Sequence, residues 1–348
     1  MRFPSVTSLL PRPIYYLLVF LLVFTGTGCG GGNSDSSAIE NKTNKADQSV
    51  ANAPGSILIE LDKSDAEMLL AFYIGGMLPD GLQLDGVLTR VDSAWWLHRP
   101  KDGLKLPPSL ENLFEVAGGD KKLTWEEFEP AVSASYYEVR NAPKSVVDMK
   151  TKYGDWNSES WFAHELAGQM THFRRRLSVP KTALIAALNG LTSLSDPIIY
   201  PVGTVFVGEH LDAESVREVT AMVKREDGYW DYFAYGSDGK LSQFIEKKPD
   251  PLRVPTQCVG CHFGDRLFEP ERSFPSVARP GPNGERAYFV PEYLKNASLA
   301  SELSEHARRS DHILGLYGTL YLAHLIQDLK GGTASEEEAK LVAKLGLN

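Results

Sequence analysis

Cysteine is scarce in this sequence of 348 residues, which contains only Cys29, Cys258 and Cys261. Three cysteines cannot supply the framework of several disulfides that stabilises small secreted domains. A structural zinc site is not predicted either, because it takes four Cys or His ligands and only one Cys-x-x-Cys pair occurs here. The sequence also lacks a phosphate-binding loop, a metalloprotease signature and a recognisable Ser-His-Asp arrangement. The common hydrolase and phosphate-binding sites are therefore not predicted.

Basic residues are in the minority. The chain has 36 Lys and Arg against 45 Asp and Glu, which gives a formal net charge of −9. This balance argues against nucleic acid as a partner, because the phosphate backbone is bound through an excess of Lys and Arg. It argues equally against a surface that binds anionic membranes.

The longest apolar run near the N-terminus is short. It covers residues 14–24, too few for a comfortable transmembrane helix but the right length for the core of a signal peptide. Arg2 and Arg12 precede this run and supply the positive charge that a signal peptide carries. We therefore predict a signal peptide over residues 1–28 and export of the protein to the bacterial periplasm.

The residues around Cys29 predict a lipid anchor and a tether. Three small residues, Gly-Thr-Gly, lead into Cys29 and resemble the lipobox of bacterial lipoproteins, in which the cysteine is acylated. The alternative is ordinary cleavage next to Cys29, which would leave a thiol there. Residues 29–55 are mostly Gly, Ser, Asn, Asp, Lys and Thr, too polar to bury a core, and are predicted to be a disordered tether.

The motif Cys-Val-Gly-Cys-His at 258–262 carries the strongest functional signal. Its spacing is that of c-type haem attachment, in which Cys258 and Cys261 add to the haem vinyl groups. His262 would then lie under the iron, where a neutral imidazole acts as the proximal ligand. One covalent haem c is predicted, because the motif occurs once.

Two other interpretations of the cysteine pair stay open. A plain disulfide would be compatible with an oxidising compartment. A redox dithiol of the thioredoxin type would need the pair at the start of a helix that follows a buried strand. Pro251, Pro255 and Thr256 predict a loop at this point instead.

The predicted fold class is α+β. An antiparallel sheet with helices is expected to carry the haem in residues 151–290, after a smaller mixed region in 56–150 and before a helical segment in 291–348. Strands are predicted over 57–61, 87–91, 204–210, 219–225 and 230–235. Helices are predicted after capping boxes at 64–67 and 124–127, from Trp161 to Arg176, over 310–329, and in a last segment ending near Leu345. His164 and His172, in the helix expected from Trp161, are interpreted as structural rather than as haem ligands.

Five blocks of sequence lie in a distinctive order. They are Tyr-Pro-Val-Gly-Thr-Val-Phe-Val at 200–207, Met-Val-Lys-Arg with Asp-Gly-Tyr-Trp at 222–230, the haem motif, Asp-Arg-Leu-Phe at 265–268, and Phe-Pro at 274–275. In this order the chain resembles the cytochrome P-460 and cytochrome c-prime-beta family over roughly residues 150–280. The resemblance implies an antiparallel sheet with helices, His262 as proximal ligand, and a five-coordinate iron with one open face that binds nitric oxide or carbon monoxide. In the members that oxidise hydroxylamine a lysine is cross-linked to the porphyrin, and Gly208 stands at that place here.

Three residues are the candidate distal or sixth ligands: Met222, His210 and Lys224. Met222 would give the Met/His iron of an electron carrier. Lys224 could replace the missing amine only if it faced the ring, and strand alternation predicts that it points to solvent. Apolar and aromatic side chains are expected to wall the pocket, namely Phe206, Met222, Trp230, Tyr232, Phe233 and Phe263.

The sequence therefore predicts a mono-haem cytochrome with an open iron site for a small nitrogen or oxygen species, as a binder or as a haem oxidoreductase. The expected partners are that small ligand, a redox partner protein and the membrane that holds the lipid of Cys29. One alternative is a six-coordinate periplasmic electron-transfer protein. Another is a surface lipoprotein in which the haem is structural.

Overall fold

The part of the chain that the computed structural model describes contains a four-stranded, a six-stranded and a two-stranded sheet, with helices packed beside them. The described residues are 55–61, 66–79, 81–92, 94–101, 103–167, 173–213, 215–245, 251–262 and 309–347. The predictions for the signal peptide, Cys29, the tether up to residue 54, His172 and Phe263 lie outside them. Helices and antiparallel or mixed sheets together make an α+β fold, which confirms the predicted class.

The N-terminal region contains a small mixed sheet. Its strands are β1 (Ile57–Glu60), β2 (Leu88–Val91), β3 (Ala94–Leu97) and β4 (Lys122–Thr124), in the order β2-β3-β1-β4. The β1–β4 pair is parallel and the other pairs are antiparallel. The strands predicted over 57–61 and 87–91 are thus confirmed as β1 and β2.

Helices of this region pack beside the small sheet. They are α1 (Ala66–Leu70), which continues as a π-helical turn over Ala71–Gly75, α2 (Pro108–Ala117), α3 (Trp125–Val139) and α4 (Val146–Tyr153). The predicted capping box begins α3, where the Glu127 carboxylate accepts a hydrogen bond from the backbone N–H of Thr124 at 2.9 Å. This bond satisfies a donor that the first turn of a helix leaves unpaired.

A larger antiparallel sheet follows. Its strands are β5 (Trp161–Ala167), β6 (Arg174–Pro180), β7 (Val205–Asp212), β8 (Ser215–Lys224), β9 (Trp230–Tyr235) and β10 (Leu241–Ser242), paired in the order β10-β9-β8-β7-β6-β5. The predicted three-stranded meander is confirmed as β7, β8 and β9. Helix α5 (Lys181–Asn189) lies between β6 and β7, and β11 (Phe244–Ile245) pairs with β12 (Leu252–Arg253) after the sheet.

The helix predicted from Trp161 to Arg176 is wrong, because these residues form β5 and part of β6. Trp161 and Phe162 are adjacent in β5 and both are buried. A strand that is covered on both faces loses the alternation of apolar and polar residues that identifies a strand in sequence. The apolar residues of this segment happen to recur at a spacing that is also typical of a helix.

Strand register divides the side chains of the large sheet between two faces. On one face lie Phe162, Leu177, Phe206, Gly208, His210, Met222, Lys224, Trp230 and Tyr232, and we call it the motif face. The C-terminal helix α7 (Arg309–Gly331) packs on the motif face, where the ring of Tyr321 lies 5.2 Å from that of Phe162 and the ring of Tyr317 lies 5.7 Å from that of Phe206. It confirms the helix predicted over 310–329, and the last helix is α8 (Glu336–Lys344).

The opposite face of the sheet is joined to the N-terminal region by a buried ion cluster. The Asp231 carboxylate of β9 accepts hydrogen bonds from Arg140, at the end of α3, through its Nε (2.9 Å) and a terminal nitrogen (2.7 Å). The guanidinium of Arg225 lies 3.7 Å from Asp231. The Tyr136 hydroxyl accepts a hydrogen bond from the backbone N–H of Tyr232 at 2.8 Å. Side chains from both regions therefore share one core.

Candidate functional site

The Cys-x-x-Cys-His motif lies on a short helix, α6 (Thr256–His262), which we call the motif helix. The predicted loop is wrong at this point. Pro255 stands just before the first turn, and its carbonyl accepts a hydrogen bond from Val259 N–H at 2.9 Å. A proline is tolerated at the start of a helix because it has no N–H that the first turn would need. The helix puts positions 258, 261 and 262 on one side, since they are three and four residues apart.

This finding changes the comparison with a redox dithiol. The sequence argued against a dithiol, because a loop and not a helix was predicted just before the cysteines. The motif helix removes that objection, and the strand that precedes it, β12, is two residues long and half-buried. The alternative of a dithiol therefore stays open beside that of haem attachment.

His262 lies against the motif face of the sheet. The centroid of its imidazole is 5.2 Å from that of the Tyr232 ring in β9, with 43° between the ring planes. Tyr232 itself is buried. The predicted proximal ligand is thus brought beside one of the predicted wall residues.

Met222 lies in the row of cross-strand neighbours that includes Tyr232. In this row Phe206 of β7, Met222 of β8 and Tyr232 of β9 are paired across the strands. Met222 is half-buried, whereas Phe206 and Tyr232 are buried. Since directly paired side chains on one face are in reach of each other, the structure brings Met222 and His262 to the same tyrosine.

Lys224 does not point to solvent as predicted. The alternation that puts it on the face of Met222 is correct, but that face is covered, and Lys224 is only 7% exposed. Its ammonium donates a hydrogen bond to the carbonyl of Gly228 at 2.9 Å and lies 5.0 Å from the centre of the Trp230 ring. A carbonyl and an aromatic face together stabilise a buried ammonium. The amine is thus held at the turn between β8 and β9.

His210 lies toward the other end of the motif face. It pairs with Glu218, four residues before Met222 on β8, and so lies about 13 Å along the strand from Met222. Its Nδ1 atom is 3.3 Å from the Glu218 carboxylate, without the alignment of a hydrogen bond. Burial lowers the pKa of His210; Glu218 opposes this shift, and Arg175, opposite His210 on β6, adds to it. The structure therefore does not bring His210 to Met222.

Glu218 and Arg175 are polar residues of the motif face that the sequence analysis missed. Glu218 is 6% exposed, and Arg175 Nε is buried without a hydrogen-bond partner among the described residues. The signal was available in β8, because Glu218 alternates in step with Thr220 and Met222 and a buried carboxylate in a strand needs a partner.

Gly208 is packed closely by its neighbours on the motif face. A Cβ atom at this position would lie 2.8 Å from the Thr220 hydroxyl, 3.3 Å from Leu177 and 3.4 Å from an Arg175 terminal nitrogen. A side chain there would displace at least the hydroxyl. At this position the chain therefore has neither the amine nor the space for the lysine that the resemblance places in hydroxylamine-oxidising members.

A buried histidine in β5 makes the stability of the fold depend on pH. His164 is 3% exposed, and burial lowers its pKa to about 4. Between about pH 6.5 and pH 4 the unfolded chain carries a proton on this residue and the folded protein does not, so the free energy of unfolding falls as the pH is lowered. We expect a loss of about 3 kcal/mol over this window. Urea titrations from pH 7 to pH 4 measure it.

The matched variant for this prediction is His164→Gln, which cannot titrate. Its free energy of unfolding is expected to fall less steeply between pH 6.5 and pH 4 than that of the wild type. Parallel curves for the two proteins would contradict the assignment of this acid sensitivity to His164. The residual slope belongs to other groups, among them His210, whose pKa burial also lowers.

The groups on the motif helix and beside it can be compared with those that a c-type haem needs. Within the described ranges, no three His, Cys, Asp or Glu residues come together as a metal site. Cys258 is half-buried on the motif helix, and His262 has an aromatic neighbour. Two thiol positions one turn apart, an imidazole beside them and an aromatic wall are the groups that attach and surround such a haem.

Comparison with known proteins gives no relatives for this chain. No family model, no curated protein and no solved structure matches it. Among the described residues, none of the helices has both the length and the apolar character needed to cross a membrane.

Proposed function

We propose that this protein is a mono-haem c-type cytochrome with an open iron site, which binds or redox-transforms a small nitrogen or oxygen species such as nitric oxide. The observation that carries the proposal is the position of the Cys-x-x-Cys-His motif. It lies on a helix whose histidine is 5.2 Å from the ring of a buried tyrosine in an antiparallel sheet. The resemblance to the cytochrome P-460 and c-prime-beta family supports the same function.

Each motif residue has one role in this proposal. Cys258 and Cys261 hold the haem through thioether bonds, and His262 is the proximal ligand of the iron. A bound haem supplies an iron that takes a small ligand and exchanges electrons. Tyr232 and Phe206, both buried on the motif face, exclude water from the site.

A six-coordinate electron-transfer cytochrome is the second candidate, and Met222 is the observation that favours it. Met222 is half-buried and paired with the tyrosine that contacts His262. A thioether opposite the imidazole would give low-spin iron and a raised potential. Replacing Met222 by Leu would then convert the iron to high spin, whereas an iron that is already open would keep its spin state.

Spectroscopy of the exported protein tests the proposal. Full-length protein that is expressed with a haem-maturation apparatus is expected to carry one covalent haem by intact mass and to show a high-spin ferric spectrum that shifts with nitric oxide. The Cys29→Ser variant is the control, because it removes the predicted lipid anchor and should keep the haem. Colourless protein with a Cys258–Cys261 disulfide would overturn the proposal in favour of the dithiol.

Substitution of His262 distinguishes covalent attachment of the haem from ligation of its iron. His262→Ala is expected to keep the covalent haem, because both thiols remain, and to change the spin state and ligand binding, because the proximal imidazole is lost. His98→Ala is the matched control, since His98 directly follows β3 of the small sheet, where its Nε2 is 3.1 Å from the Thr89 hydroxyl. Identical spectra for His262→Ala and the wild type would contradict the proximal role of His262.

A further inference from the structure

A buried carboxylate of the N-terminal region is hydrogen-bonded to the first residue of the motif helix. Glu129, in α3, is 5% exposed. Its Oε1 atom accepts hydrogen bonds from the hydroxyls of Thr256 (2.7 Å) and Ser133 (2.9 Å). Its other oxygen accepts one from the guanidinium of Arg253, in β12. Since Thr256 precedes Cys258 by two residues, one carboxylate ties α3 to the haem motif.

Tyr73 extends this connection. The single hydroxyl hydrogen of Thr256 is donated to Glu129, so the hydrogen bond between Tyr73 and Thr256 is donated by the tyrosine. Burial is the main cause that raises the pKa of Tyr73, and the carboxylate of Glu129 adds to it. Tyr73 therefore keeps its proton and can donate it to Thr256.

The two ends of the motif helix are thus held by different parts of the fold. Thr256, at its start, is bonded to Glu129 and Tyr73 of the N-terminal region. His262, at its end, contacts Tyr232 of the large sheet. A seven-residue helix is not stable by itself, so these side-chain contacts decide where it lies.

We propose that Glu129 is a positioning residue of the haem centre. Through Thr256, with Tyr73 behind it, Glu129 fixes the motif helix and so the direction in which its thiols and imidazole are presented. Residues 56–150 then have a defined role, which is to set the geometry and potential of the site from outside it. The effect on the potential rests on the proposed haem function; the effect on the helix does not.

Two hydroxyl-deleting variants separate positioning from simple stability. Thr256→Val and Ser133→Ala each remove one hydrogen bond to the same Glu129 oxygen and one contact with the Tyr73 hydroxyl, but only Thr256 belongs to the motif helix. Hydrogen exchange in haem-free full-length protein measures the helix directly, through amides such as Val259 N–H. We expect exchange over 256–262 to become about tenfold faster or more in Thr256→Val, because a bond to a buried charge is lost. Ser133→Ala should leave it near the wild-type rate.

The haem-loaded protein gives the second readout. The midpoint potential is expected to shift in Thr256→Val, to stay near the wild-type value in Ser133→Ala, and to return in Thr256→Ser, which restores the hydroxyl. Equal exchange of the motif helix in Thr256→Val and Ser133→Ala would overturn the positioning role. A potential that does not move while the helix exchanges faster would overturn its effect on the haem. A protein that carries no haem would refute the proposed function alone, because the exchange experiment would still decide on Glu129.

Discussion

Replacing Cys258 and Cys261 together by serine is expected to remove all covalently bound tetrapyrrole from the protein. Both thioether bonds need these thiols, and serine cannot add to the vinyl groups. Cys258 is half-buried on a short helix rather than in the core. The free energy of unfolding of the haem-free variant should therefore differ from that of haem-free wild type by about 1 kcal/mol or less. Haem staining after denaturing electrophoresis, with intact mass, measures the loss.

The single variants sharpen this result. Cys258→Ser and Cys261→Ser each keep one thiol and are expected to retain a single-thioether haem at a lower yield. Circular dichroism of every variant shows whether lost pigment reflects lost folding. A double variant that still holds haem after acidified organic extraction would rule out attachment through the motif.

Replacing Asp231 by alanine is expected to lower the free energy of unfolding by about 3–5 kcal/mol, because it leaves Arg140 without this carboxylate and leaves the buried guanidinium of Arg225 paired with Asp227, which water reaches. The Asp231 side chain is 7% exposed, and it pairs with Arg140 at 2.7 Å and with Arg225 at 3.7 Å. Arg225 is itself only 4% exposed at its side chain. Urea denaturation at neutral pH measures the loss.

Asp227→Ala is the matched control for this prediction. Asp227 also pairs with Arg225, but 39% of its side chain is exposed. Pairs that water can reach contribute little, so its loss should cost about 1 kcal/mol or less. Equal losses for Asp227→Ala and Asp231→Ala would show that the buried cluster is not what joins the N-terminal region to the sheet.

The meander and the capped helices could be predicted because each carries its own local signal. The strands β7, β8 and β9 are rich in β-branched and aromatic residues, and Asp-Gly pairs mark the turns that follow β8 and β9. Thr124 and Glu127 predict the start of α3, because they are the N-cap and the third residue of a capping box. The prediction for β5 was wrong for the opposite reason. Trp161 and Phe162 are buried on different faces of the sheet, so the sequence shows no alternation of apolar and polar residues there.

The site was only partly predictable. The haem motif can be recognised directly from its residues. The environment of Lys224 cannot, because it depends on a turn that brings the carbonyl of Gly228 and the ring of Trp230 to its ammonium. The bond between Glu129 and Thr256 joins residues that are 127 positions apart. No local pattern announces such a contact, because either residue alone is common on a helix. The helical start of the motif was hidden by Pro255, which signals a loop as readily as a first turn.

The hydrogen bond from Tyr232 to the Tyr136 hydroxyl has a consequence for self-association. Within the described residues, β10 pairs with Tyr235 and Ala234 at the end of β9, so the earlier part of β9 forms an outer edge of the sheet there. Bare amides on such a border invite strand addition by a neighbouring molecule and, from there, aggregation. Tyr136 occupies one of these amides from within the same chain. The N-terminal region thereby shields part of this sheet edge, which disfavours edge-to-edge association of two molecules.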